Sequence, residues 1–259
     1  MSGTGAAAFQ AAIVDLDGTM VDTMGDFAEA LNRMLADLRL PAVAPAAIEH
    51  MVGKGSEHLL RSVLGHVLAR DGAAPVQEQI DVRVEALYPQ AWERYQHHYL
   101  AINGQYSQVY AGVEQGLAQL RAQGLRLACL TNKPLAFAEP LLQAKGLRQY
   151  FECVFGGDSF ARKKPDPLPL LQTCAALGSQ PGGTLMIGDS SNDAQAARGA
   201  GCPVYLVSYG YNHGQPIHEV PADGYVDSLA DISLAHGRQL RHIASNSSRL
   251  HSNAAPKRS

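Results

Sequence analysis

Four short stretches of the chain combine residue types and spacings that could do chemistry. The first is Asp15-Leu16-Asp17-Gly18-Thr19. In extended chain, residues two apart face the same way, so the carboxylates of Asp15 and Asp17 converge while Leu16 points elsewhere. Two acids held together repel, and a hard cation or a task for a protonated acid would account for them. A lone pair of this kind would otherwise read as an acidic turn. The second stretch is Thr131-Asn132-Lys133, the third Lys163-Lys164-Pro165-Asp166-Pro167, and the fourth Gly188-Asp189-Ser190-Ser191-Asn192-Asp193. The prolines restrict the backbone around the two lysines and disfavour helix there, so a lysine can be presented as a fixed positive charge. Asp189 and Asp193 flank the start of an expected helix, where either one alone could serve merely as a cap.

Each stretch needs an element to position it. Apolar runs at Ala11–Leu16, Leu125–Leu130, Cys153–Phe155, Thr184–Ile187 and Pro203–Val207 are bounded by Gly, Pro or polar residues and read as buried strands. Helical stretches lie between them, near Val113–Gln123, Leu135–Ala144, Leu168–Leu177 and Asn192–Ala200. Strands alternating with helices predict a parallel sheet covered on both faces. In such a sheet, sites form beyond the carboxyl ends of the strands, which is where three of the four stretches fall.

Residues 23–103 break the alternation. They contain amphipathic segments at Gly25–Leu38, Pro45–Val52, Ser56–Ala69 and Ile80–Tyr99, the last expected to break or kink at Pro89, and no convincing buried strand. The expectation is a helical cap at 23–103 inserted into a core made of 1–22 and 104–233. Gly53-Lys54-Gly55 would be a tight turn in that cap. Residues 234–259 carry Arg238, Arg241, Arg249, Lys257 and Arg258 and no acid, and are expected to be a disordered basic tail.

The bulk properties restrict function further. The 259 residues are 46% hydrophobic, enough for a sizeable core, and the formal charge of −3 gives no basic field for nucleic acid. No apolar run approaches the roughly 18 residues of a membrane span. Cys129, Cys153, Cys174 and Cys202 show no ligand spacing and are expected to be small buried thiols, so a reducing cytoplasm is the expected compartment. The ten histidines offer no HxH or HExxH spacing. His97 and His98 fall on an expected cap helix, and His213 alone lies near the expected site.

The ordered set DxDGT, TN, KPxP and GDxxxD resembles the haloacid dehalogenase-like hydrolase superfamily over about residues 11–230. The resemblance implies an α/β fold: a Rossmann-like parallel sheet core with an inserted α-helical cap. It implies a phosphatase that uses Asp15 as nucleophile and Asp17 as the acid that protonates the leaving alcohol and later activates water. Mg²⁺ would be held by Asp15, the main-chain carbonyl of Asp17, and Asp189, with Asp193 in support. Thr131 and the Asn132 N–H would bind phosphoryl oxygens, and Lys164, which directly precedes Pro165, would neutralise them.

Asp17 sets the chain apart from the dehalogenase members, which lack the second acid. The loop Tyr209-Gly210-Tyr211-Asn212, the Gly53-Lys54-Gly55 turn and GDSSND look like the phosphoglycolate phosphatase branch. That likeness implies hydrolysis of 2-phosphoglycolate to glycolate and phosphate, with Lys54 closing over the substrate carboxylate. A solvated lysine between two hinge glycines remains the other reading of Lys54, and a packed connection the other reading of the tyrosine loop. A sugar phosphate or nucleotide as substrate, phosphoglucomutase chemistry, and a non-catalytic module that binds phospholigands remain open. Sequence gives no oligomeric state. The partner expected is a small phosphomonoester, with neither nucleic acid nor membrane.

Overall fold

A computed structural model describes residues 9–70 and 76–232 of the chain. The basic segment 234–259 lies outside the described residues. Six parallel strands form one sheet: β1 (Ala11–Val14), β4 (Arg126–Leu130), β5 (Cys153–Phe155), β6 (Thr184–Gly188), β7 (Val204–Val207) and β8 (Gly224–Val226), in the order β5-β4-β1-β6-β7-β8. Counted along the chain, these six strands lie 3-2-1-4-5-6, the order of doubly wound nucleotide-binding sheets, with the switch point between β1 and β6.

The strand sequences are apolar throughout because both faces are covered. Ala12, Val14, Leu127, Cys129, Leu185 and Ile187 enter one apolar cluster. Their neighbours Ala11, Ile13, Ala128, Leu130 and Met186 enter another, on the opposite face, as the two-residue period of a strand requires. The first cluster is closed by α5 (Val113–Ala122) and α6 (Leu135–Ala144), the second by α7 (Leu168–Ala176) and α8 (Ser191–Ala200).

Between β1 and β4 the chain leaves and returns through a short antiparallel ribbon, β2 (Val21–Asp22) against β3 (Gln108–Val109), pairing Val21 with Val109. Beyond the ribbon stand α1 (Met24–Asp37), α2 (Pro45–Glu49), α3 (Ser56–Leu68) and α4 (Gln77–Ile102). Leu31, Leu35, Leu60, Leu64, Tyr95 and Tyr99 build an apolar core of their own, joined from the sheet side by Phe137 and Tyr211. The fully buried Asp26 carboxylate accepts from the amides of Gly104 and Tyr106 at 2.9 and 2.8 Å, stitching the outgoing chain to the returning one.

Two details depart from the sequence expectations. Helix α4 runs unbroken through Pro89, so of the break or kink expected there the break does not occur. Pro89 and Glu85, whose carbonyl loses its partner, are both exposed, so water can satisfy the freed group. Strand β8 and the β2–β3 ribbon were not expected at all. Cys129, Cys174 and Cys202 are buried and Cys153 is half-buried, all four unpaired. Among the described residues no helix is long and apolar enough to cross a membrane.

Candidate active site

Strands β4, β1 and β6 are neighbours, so the residues that follow them stand side by side at the carboxyl edge of the sheet, about 4.8 Å apart per strand. Asp15 follows β1, Thr131 follows β4 and Asp189 follows β6. Oxygens of Asp15, Asp189 and Asp193 all lie within 4.8 Å of one another. Lys164 completes the group. Its ammonium, only 2% exposed, lies 2.9 Å from Asp15 Oδ1 and 2.6 Å from Asp193 Oδ1, and donates to the Leu130 carbonyl at 2.9 Å. Lys163, by contrast, is exposed.

Local sequence makes this approach feasible. Gly18 adopts φ +81°, and a Cβ there would stand 2.1 Å from Asp189 Oδ2. A Cβ on Gly188 would stand 2.4 Å from Asp193 Cγ. Both glycines are therefore required for the carboxylates to close on the strand ends. Asp193 combines the two roles considered for it: its Oδ2 accepts from Ser190 N at 3.2 Å and Ser190 Oγ at 2.7 Å as part of a capping box on α8, while its Oδ1 holds Lys164.

Three buried carboxylates share one ammonium. Burial pushes Asp15 up to about 7, aided by the Asp193 charge and opposed by Lys164. Asp189 is raised well above the usual carboxylate range by burial and by the charges of Asp193 and Asp15. Burial alone would lower Lys164, but the Asp15 and Asp193 charges outweigh it and hold the ammonium charged. With all three carboxylates ionised the set would carry two uncompensated negative charges, which one divalent cation would neutralise. Asp193 is tied to the Lys164 ammonium, whereas Asp189 accepts only from the neutral donors Thr19 and Tyr211, so Asp15 and Asp189 are the carboxylates better placed to take a hard cation.

Asp17 points to a different partner. Its Oδ1 accepts from Thr23 Oγ1 at 2.8 Å and from Lys133 Nζ at 2.9 Å. The Lys133 ammonium is 2% exposed and lies 4.4 Å from the Phe27 ring centre and 4.7 Å from that of Tyr99. Thr131 Oγ1 accepts from the Lys133 amide at 3.1 Å, which leaves the hydroxyl proton available.

The helical insert roofs the group. Its Gly53 carbonyl accepts from the side-chain amides of Asn132 at 3.2 Å and Asn192 at 3.0 Å, both from the sheet side. The enclosed space is about 30 Å³, lined by Asp15, Asp17, Thr131, Lys133, Lys164 and Asp189 below and by Phe27, Gly53 and Leu59 above. A single water needs roughly 10–15 Å³, so the space as it stands is sized for waters rather than for a phosphomonoester.

Of the residues expected at the site, Asp15, Asp17, Thr131, Asn132, Lys164, Asp189 and Asp193 all line this space. Lys54 does not. It is exposed, because the turn directs the Gly53 carbonyl inward to the two asparagines and leaves the Lys54 side chain in solvent. His213 is half-buried against the same turn, 3.4 Å from Asn192 Nδ2, and burial followed by the nearby Lys54 charge lowers its pKa.

Sequence reasoning gave no role to Lys133, Thr19, Thr23 and Asn192, and placed Tyr211 in a loop read either as a mark of the family branch or as a packed connection. Thr19 Oγ1 donates to Asp189 Oδ1 at 3.2 Å, and the Tyr211 amide to Asp189 Oδ2 at 2.5 Å. The Tyr211 hydroxyl accepts from the amides of Thr23 and Met24 and contacts Asp22, so the loop ties the acid cluster to the base of the insert. Thr19 and Asn192 lie inside motifs already singled out and could have been found there. Nothing local marks Thr23.

A parallel sheet with an acid cluster at its switch point, roofed by a helical insert, defines a class of α/β hydrolases. The chain belongs to the haloacid dehalogenase-like hydrolase family, whose model matches residues 9–201. It is 42% identical over 226 residues to a phosphoglycolate phosphatase of Thiobacillus denitrificans, covering 87% of this chain and 94% of that one. It is 45% identical over 219 residues to "Phosphoglycolate phosphatase, plasmid" of Cupriavidus necator, covering 85% and 89%. Among solved structures, a predicted phosphoglycolate phosphatase from Haemophilus somnus superimposes with a TM-score of 0.79 at 31% identity, covering 88% of this chain and 97% of that one.

Proposed function

We propose that this protein is a Mg²⁺-dependent phosphatase that hydrolyses 2-phosphoglycolate to glycolate and phosphate through a phosphorylated Asp15. The observation that carries the reading is the placement of Lys164 Nζ 2.9 Å from Asp15 at the floor of a cavity that Asp17 also lines. The names of the relatives support the substrate.

Asp15 attacks phosphorus as the ester P–O bond breaks, and Asp17 gives its proton to the departing alkoxide. Water then attacks the phosphorus of the aspartyl phosphate, Asp17 takes up its proton, and free phosphate leaves Asp15 as a carboxylate. Splitting the displacement replaces one hard step by two easier ones. The Thr131 hydroxyl and Asn132 N–H bind phosphoryl oxygens, and Lys164 offsets the charge on them and on Asp15. Asp193 keeps Lys164 aimed. Mg²⁺ would be held by Asp15, Asp189 and the main-chain carbonyl of Asp17, and when bound supplies positive charge to the phosphoryl oxygens.

Residues 23–103 act as a cap on the core formed by 1–22 and 104–233, opening to admit substrate and closing to exclude water. The enzyme works in the cytoplasm on a small phosphomonoester.

The test is phosphate release from 2-phosphoglycolate, hexose phosphates, nucleoside monophosphates and an aryl phosphate, with Mg²⁺ and with chelator. Metal-dependent release fastest from 2-phosphoglycolate is expected. A flat profile defeats the substrate assignment, and isomerisation of a hexose phosphate without net release points to a mutase. Absence of release from every compound leaves a phospholigand-binding module.

A further inference from the structure

The cavity contains two buried ammonium groups, and the phosphoryl site uses one of them. Lys164 belongs to Asp15 and Asp193. Lys133, the other, sits with Asp17 against the Phe27 ring. An ammonium has three N–H donors. One is used on Asp17 at 2.9 Å, and beyond it the structure gives Lys133, among the described residues, only the faces of Phe27 and Tyr99. A desolvated cation whose remaining protons meet only aromatic faces has donors to offer an anion.

We propose that Lys133 binds the carboxylate of the substrate and sets the preference for 2-phosphoglycolate. The inference rests on the reading of the site given above. In that reading Asp17 protonates the ester oxygen, so the two are in hydrogen-bond contact. In 2-phosphoglycolate a single methylene joins the ester oxygen to the carboxylate, and the span between their oxygens is about 3 Å from bond lengths alone. A carboxylate tethered that closely to an atom in contact with Asp17 lies within reach of an ammonium 2.9 Å from Asp17. Lys54, the other cation considered for this part, is exposed and outside the cavity. Phe27 and Tyr99 come from α1 and α4 of the insert, so the pocket around Lys133 is complete only with the roof in place.

The experiment compares 2-phosphoglycolate with ethyl phosphate, which carries methyl in place of carboxylate, on the full-length wild-type protein and on Lys133→Met, Lys133→Gln and Lys133→Arg, with Mg²⁺. Wild type should favour 2-phosphoglycolate in kcat/KM. Lys133→Met should lose at least tenfold of that ratio, mainly through KM for 2-phosphoglycolate, and Lys133→Arg should keep most of it. Lys133→Gln, neutral and still able to donate to Asp17, replaces Lys133→Met if the latter does not fold. An equal fall on both substrates would assign Lys133 to positioning Asp17 and overturn the inference. A wild type that prefers 2-phosphoglycolate with neutral variants that retain the preference overturns the inference alone. A wild type with no preference overturns the substrate reading and the inference with it.

Discussion

The two walls of the cavity are built on different principles. The sheet edge supplies charge: Asp15, Asp189, Asp193 and Lys164 are fixed by strand ends, a helix cap and one another. The helical insert supplies mainly apolar surface, the Ser56 hydroxyl and the main-chain carbonyl of Gly53, and no charge, since its lysine stays in water. Chemistry therefore belongs to the sheet edge and enclosure to the insert, the side that moves in the proposed cycle. A buried charge on the moving wall would have to be desolvated at every closure, whereas apolar rings and a carbonyl met by two amides close at little cost.

If that division is right, the largest losses come from the sheet edge. Asp15→Asn should lower kcat by more than about 10⁴-fold, since it removes the group to which phosphorus is transferred. Asp17→Asn should lower it by roughly 10²- to 10⁴-fold, the usual worth of general acid help. Single-turnover assays with acid-quenched protein distinguish the two: Asp17→Asn should still accumulate label on the protein from a good leaving group, and Asp15→Asn should not. Near-normal turnover by Asp15→Asn would end the covalent scheme.

The same asymmetry decided what could be read in advance. Strands β1, β4, β5, β6 and β7 were legible because strands buried on both faces are apolar without interruption. The four motifs were legible because each sits on a few consecutive residues. Strand β8 escaped because it has three residues with Tyr225 exposed, and the β2–β3 ribbon because two residues carry no period. Lys133 stood in plain view directly after Asn132, but its surroundings come from Phe27 and Tyr99 on separate helices, and no local pattern announces that convergence. Lys54 stayed between two readings for the complementary reason: a cation between glycines says nothing about which way the turn faces.

A smaller effect concerns the acid cluster without metal. Asp15 titrates near 7 in the folded chain against an ordinary value of 3.8. Between those values the folded state holds a proton that the unfolded state has lost, so stability is greatest at low pH and falls as pH rises through this window. In chelator, the melting temperature should decline from pH 5 to pH 8 by several degrees, an amount corresponding to a few kcal/mol at most. Mg²⁺ should stabilise more at pH 8 than at pH 5, and Asp15→Asn should flatten the decline. A chelator-treated protein whose melting temperature climbs over that range would contradict the charge balance described for the sheet edge.

On the moving wall the effects should be modest. Asn192→Ala removes one of two side-chain donors to the Gly53 carbonyl, a hydrogen bond worth about 0.5–1.5 kcal/mol. A fall in kcat/KM of roughly 2- to 10-fold is expected, and an unchanged value would mean that this contact does not hold the roof during turnover.

The smallest change, and the one that bears most directly on the comparison, is Lys54→Ala. An exposed ammonium acts through water and salt, where one pair contributes about 0–1 kcal/mol, and Lys54 does not face the cavity. The expected loss in kcat/KM for 2-phosphoglycolate is under about threefold, and it should shrink further at high ionic strength. Burial is the main push of His213 and His58 toward the neutral form and the Lys54 charge adds to it, so removal of that charge should shift the pH profile more than the plateau. A tenfold or greater loss confined to the carboxylate-bearing substrate would show that the turn swings its charge inward when substrate binds. The insert would then contribute charge as well as cover, and the division between the two walls would fail.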